Sequence, residues 1–192
     1  RDLLVTRSKK EILTSLGIKQ PNVVLFSGRI LPRKRLDVLL ELFDELDRDS
    51  EWALVVVGPG LDDQTRRQYC GRDNIYFLGP LYDRQKVAEV FWACDIFSIP
   101  GAMGLSIVES LYWGKPVVTI EGHHGPEAYY LNDKNSFFCR DKEDYAAKMR
   151  YLMNNPHIIA DMGRAAKETY REFCTLDKFL EGLLIRQEMA GE

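Results

Sequence analysis

The feature that most constrains this chain is the stretch from Pro100 to Gly114, PGAMGLSIVESLYWG, set between two short apolar runs. Ile96-Phe97-Ser98-Ile99 precedes it and Pro116-Val117-Val118-Thr119-Ile120 follows it. Short apolar runs bounded by turn residues read as strands buried on both faces, and Leu105, Val108, Leu111 and Tyr112 recur between them at helical spacing on one face. Strand, glycine-bearing loop, helix and strand together predict a parallel βαβ unit. Gly101 and Gly104 allow close backbone approach, and the open N–H groups near Leu105 and Ser106 suit an anion. Taken alone, a tight strand-to-helix turn that binds nothing is the better account of the same glycines.

The rest of the chain repeats the theme. Ser8 to Leu16 predicts a helix that stops at Gly17, and Val23 to Ser27 a buried strand ending in Gly28-Arg29. The basic loop from Ile30 to Arg35 leads into a helix with Leu36, Leu39, Leu40 and Phe43 on one face. Trp52 to Val57 predicts a second strand closed by Gly58-Pro59-Gly60, followed by a polar helix from about Asp62 to Tyr69. Ile75 to Leu78 predicts a third strand ending at Gly79-Pro80, and Asp83 an N-cap for a helix through Trp92. Ser136 to Cys139 predicts a short sixth strand. Helices are expected from Glu143 to Met153, from His157 to Phe173 and from Leu176 to about Met189.

Strands alternating with helices imply an α/β, doubly wound parallel sheet of Rossmann-like type. The expected organisation is a linker and lead-in helix over residues 1–22, a Rossmann-like domain over 23–174 and a C-terminal helix over 175–192. In such sheets ligands sit beyond the carboxyl ends of the strands. The four glycine-bearing loops at Gly28-Arg29, Gly58-Pro59-Gly60, Gly79-Pro80 and Pro100 to Gly104 then share one rim.

Composition excludes several classes. A net charge of −3 across 192 residues gives no global basic field, so nucleic acid is not favoured as a partner. Cys70, Cys94, Cys139 and Cys174 form no CxxC pair, which suggests neither a zinc site nor a disulfide framework and fits a reduced, cytoplasmic setting. His123 and His124 lack a third ligand at a metal spacing, and loop polarity explains them. No apolar run approaches the length of a membrane span, and the start, which lacks Met, is consistent with a piece excised from a longer protein.

Locally, each candidate binding residue has a bland alternative. Arg29 and Lys34 follow the first strand, where two cations can neutralise a diphosphate, but surface charge beside Arg33 and Arg35 is as good an account. Glu109 can accept from two adjacent hydroxyls, as a ribose presents them, or can be a solvated helix carboxylate. Glu127, in Gly125-Pro126-Glu127, can line the rim or favour a helix dipole. Gly58-Pro59-Gly60 lacks the third glycine of a dinucleotide fingerprint.

The ordered set is more specific than its members. Ser27-Gly28-Arg29 with Lys34, Val57-Gly58-Pro59-Gly60, Phe77-Leu78-Gly79, Asp95 with Pro100, Gly104-Leu105-Ser106 with Glu109, Gly114-Lys115-Pro116-Val117-Val118 and Gly125-Pro126-Glu127 follow one another in that order. The chain from Val23 to about Phe173 resembles the carboxyl-terminal, donor-binding half of family-four retaining glycosyltransferases, which have the two-Rossmann GT-B architecture.

The resemblance implies that Arg29 and Lys34 act on the diphosphate of a nucleotide sugar, that Gly28 and the amides of Gly104, Leu105 and Ser106 line the phosphate site, and that Glu109 binds ribose. Glu127 and the position of Gly101 would face the donor. No cofactor or metal is implied, because two cations and a helix N-terminus stabilise the leaving group. An acceptor-binding half would precede this one, and a peripheral membrane seat through that half is left open. One position departs: eight residues before Glu109, where the family commonly carries a Glu that contacts the donor sugar, this chain has Gly101. The competing readings are a non-catalytic nucleotide-sugar-binding module and a GT-B epimerase or phosphorylase.

Overall fold

The computed structural model of the chain describes residues 5–46, 51–69, 71–122, 124–175 and 178. Its elements run in chain order as α1 (Lys9–Ser15), β1 (Asn22–Ser27), α2 (Leu36–Leu46), β2 (Trp52–Val57), α3 (Asp63–Tyr69), β3 (Ile75–Gly79) and α4 (Arg84–Ala93). They continue as β4 (Ile96–Ser98), α5 (Ser106–Tyr112), β5 (Val117–Ile120), β6 (Ser136–Cys139), α6 (Lys142–Met153) and α7 (Pro156–Phe173). Of the C-terminal helix expected over 175–192, only Thr175 and Lys178 are described, so it lies outside the described residues, as do Cys70 and His123.

The six strands form one sheet in the order β3-β2-β1-β4-β5-β6, and every pairing is parallel. The doubly wound sheet expected from the sequence is therefore present. Chain order reverses between β1 and β4, and the loops leaving those two strands bound the crevice where such sheets take ligands.

The core follows from the residues. Val23, Val24, Leu25 and Phe26 of β1 and all of β2 are buried, as near-continuous apolar strands covered on both faces must be. From α2, Leu39, Leu40 and Phe43 are almost fully withdrawn from water, each burial worth about 1.5–3 kcal/mol. On opposite sides of the sheet α2 packs with α6, and α5 packs with α7. Within the sheet's own layer of polar groups, the Tyr145 hydroxyl pairs with Ser98 Oγ, which also donates to the Val118 carbonyl at 3.0 Å.

Local signals set the helix ends. Ser8 caps α1 in a reciprocal box with Glu11, Asp83 accepts from the amides of Gln85 and Lys86 at the start of α4, and Asp141 accepts from Asp144 at the start of α6. The lead-in helix α1 packs on α4 with Ile12 fully buried. Asp95, one of the motif residues, lies at the amino end of the sheet, where its carboxylate accepts from the Val23 amide and from Lys9 Nζ, both at 2.7 Å. Lys115, another, donates to the carbonyls of Trp92 and Cys94 at the end of α4. Both therefore hold the fold on the side away from the rim.

At the rim itself the loops are laced. The ladder continues past the strand ends, with Gly28 N–H donating to Val57 O and Gly58 N–H to Gly79 O, each at 2.9 Å. Gly58 has φ +140, and a Cβ there would lie 1.9 Å from the Gly28 carbonyl oxygen. A side chain at this position meets rigid backbone in a conformation that L residues rarely adopt. We expect Gly58→Ala to destabilise the chain by roughly 3 kcal/mol in urea unfolding, with an unchanged slope. A loss under about 1 kcal/mol would show that the two loops are not locked together.

Candidate functional site

The site is built on the turn after β1. Pro32–Lys34 forms one turn of 3-10 helix, Pro32 opening it with its fixed φ and Arg35 closing it in the left-handed region at φ 54. Arg35 is the only non-glycine residue with positive φ among the described residues. The turn lies against the loop after β4: Gly101 N–H donates to Lys34 O at 3.1 Å, and Ala102 N–H to Arg33 O at 2.8 Å.

These bonds place the Lys34 side chain beneath the loop. Lys34 is buried, its Nζ donates to Ala102 O at 3.1 Å, and it lies beside both Gly28 and Gly104. A Cβ on Gly28 would be 3.4 Å from Lys34 Cε, and one on Gly104 would be 3.7 Å from Nζ. Burial lowers the pKa of this ammonium, Arg33 lowers it further, and the Glu127 carboxylate opposes both. The structure thus brings together Gly28, Lys34, Gly104 and Glu127, which stand far apart in the sequence. Such a partly desolvated cation, short of compensating anions, is a ready partner for a phosphate.

Gly101 is part of the same packing but presents no surface for a side chain. A Cβ there would sit 2.1 Å from the Arg33 carbonyl oxygen and 2.8 Å from the Lys34 carbonyl carbon. Arg29 is exposed, and its guanidinium has no partner among the described residues.

Next comes α5. The amides of Leu105 and Ser106 find no acceptor among the described residues, while Ile107 and Val108 already donate back to Gly104 and Leu105. The apolar spacing suggested that Leu105 shares the buried face of this helix, but Leu105 is 78% exposed and stands at the N-cap. The face turned inward is Ile107, Ser110 and Leu111, because the helix begins one residue later than the periodicity implied. Glu109 is half-buried one turn on, its Oε1 accepting from the indole Nε1 of Trp113 at 2.9 Å. Spacing alone could have suggested that pair, since residues four apart on a helix are neighbours.

Sequence reasoning also missed a cavity of about 310 Å³ behind the Gly101 loop, lined by Arg33, Arg35, Pro100, Gly101, Gly122 and His124 among others. The thiols of Cys94 and Cys139 are pushed up to about 12 by burial and offer no nucleophile.

Comparison with known proteins gives a consistent result. The family model described as glycosyl transferases group 1 matches residues 8–169. The poly(ribitol-phosphate) alpha-N-acetylglucosaminyltransferase of Staphylococcus aureus is 26% identical over 161 residues, covering 80% of this chain and 33% of that relative. The chain thus spans about a third of the length of this curated relative. Among solved structures, Anabaena HepE in complex with UDP superposes with TM-score 0.74 at 18% identity, over 96% of this chain and 52% of that one. The C-terminal domain of the glycosyl transferase group 1 protein LpcC from Francisella tularensis superposes with TM-score 0.74 at 16% identity, over 91% of this chain and 96% of that one.

Buried Lys34 has a pH signature. Its pKa is lower in the folded chain than in the unfolded one, so between the two values the unfolded chain holds the extra proton and stability rises with pH. Relative to Lys34→Met, the parent chain should gain stability as the pH climbs from neutral toward about 10.4. Urea unfolding of both chains across that range measures it, and a flat difference would contradict the burial cost assigned to Lys34.

Proposed function

The chain belongs to the glycosyl transferases group 1 family, and we propose that it is the donor-binding half of a retaining enzyme that moves a sugar from a nucleotide sugar to an acceptor. The observation that carries this reading is the Lys34 ammonium, buried beside Gly28 and Gly104 and adjoining the open amides of Leu105 and Ser106. A diphosphate supplies the charge this arrangement lacks. The solved structure of HepE with UDP, which shares the fold, supports the choice of a nucleotide.

In this reading Arg29, exposed and unpartnered, closes over the diphosphate from the other side, and Glu109 accepts from the ribose hydroxyls with Trp113 fixing its orientation. As the glycosidic bond breaks, negative charge grows on the departing diphosphate. Two cations and the amides at the start of α5 are already aimed at it, so no metal is needed for that charge. Since Gly101 can bear no side chain, Glu127 is the carboxylate left to contact the donor sugar. An acceptor-binding half completes the cleft, and the present chain alone binds donor weakly and turns over little or nothing.

One observation favours a second reading, a non-catalytic nucleotide-sugar-binding module: the closed packing at Gly101 removes the family's usual sugar contact. Turnover of a nucleotide sugar by this chain joined to an acceptor-binding half would decide against it.

Calorimetric titration with a panel of nucleoside diphosphates and nucleotide sugars tests the main reading. At least one nucleoside diphosphate should bind, unaffected by a chelator, and Arg29→Ala should weaken it roughly 10- to 100-fold. Glu109→Ala should cost about tenfold against a ribonucleotide and far less against the 2′-deoxy form. If no nucleotide binds, or neither substitution weakens binding, the site assignment fails.

A further inference from the structure

The cavity behind the Gly101 loop is not used by the diphosphate arrangement described above. It lies across that loop from Lys34 and shares the Gly101–Ala102 backbone with it. Its walls come from the turn after β1 and from the end of β5, and its polar side chains are Arg33, Arg35, Glu121 and His124. Two arginines and one glutamate thus line the cavity. Both arginines are exposed, and neither guanidinium has a hydrogen bond or ion pair among the described residues.

Two further observations mark the place. Arg35 is held in the left-handed region, where a non-glycine residue is costly by about 1 kcal/mol, and the turn keeps an arginine there although glycine would fit freely. The ring of His124 packs edge-on against Phe138 and donates through Nε2 to Ile120 O at 2.9 Å, which fixes the wall that follows β5. The floor is Gly101, where a side chain would collide with Arg33 O. A pocket of about 310 Å³ with a backbone floor and two planar, five-donor cations suits an oxyanion gripped from two sides.

We propose that this cavity is an anion-binding subsite that takes a phosphate or carboxylate group carried by a substrate, held between Arg33 and Arg35 and separate from the diphosphate site at Lys34. The proposal rests on the reading of Lys34 and Arg29 as the nucleotide site. It makes the substrate one that bears a second anionic group, either on the donor sugar or on the acceptor.

The experiment is an NMR titration of the chain, saturated with UDP and held at constant ionic strength, with inorganic phosphate. The amides of Gly101, Ala102 and Gly122 should shift saturably. In the double variant Arg33→Ala/Arg35→Gly, where glycine relaxes the left-handed position and protects folding, phosphate affinity should fall by about tenfold while UDP affinity stays within about twofold. UDP-glucuronate compared with UDP-glucose separates the two sources. If the donor sugar carries the anion, the parent chain prefers UDP-glucuronate by about tenfold, phosphate competes with it, and the double variant loses the preference. If the acceptor carries it, the two donors bind alike and phosphate still titrates the cavity in their presence. No saturable shift at these amides, an undiminished shift in the double variant, or a parallel loss of UDP affinity would each overturn the subsite. A chain that binds phosphate here but none of the panel of nucleoside diphosphates would overturn the nucleotide reading and leave the anion subsite standing.

Discussion

Two backbone hydrogen bonds organise the rim of this protein: Gly101 to Lys34 and Ala102 to Arg33. They tie the turn after β1 to the loop after β4, across the point where the sheet reverses its order. Everything functional hangs on that seam. It sets Lys34 under the loop, points its ammonium at Ala102 O between two glycines, and turns Arg33 and Arg35 toward the opposite side.

The seam also shows how stability and binding divide the labour. The strands and α2 supply the apolar burial, and Asp95 and Lys115 tie the far end of the sheet with charged groups that find partners on the backbone. At the rim the polar groups are left short instead: Lys34 is desolvated, and among the described residues the Arg29 guanidinium and the first amides of α5 have no partner. Under the proposed function, groups that a core would have to satisfy are the ones that meet the ligand.

Much of this was legible in the sequence, because its strongest signals are local and physical. Continuous apolar runs such as Trp52 to Val57 gave their strands to the residue, and Ser8, Asp83 and Gly17 marked helix ends through the side-chain and backbone chemistry that caps require. What escaped depended on contacts between distant residues. Nothing near Lys34 says that it is buried, since the loop that covers it lies almost seventy positions away. Leu105 matched an apolar stripe but ended up in water, because a helix start is fixed by its preceding loop and not by periodicity.

Gly101 carries an implication for the history and engineering of this rim. A glutamate at this point would add a carboxylate to the rim by a single replacement. Yet the first carbon of any side chain would run into the Arg33 carbonyl, so the turn after β1 must retreat first, and that retreat disturbs both Lys34 and the arginine-lined cavity. The two loops are epistatic. Placing a carboxylate here therefore takes a change in the turn after β1 as well as at Gly101.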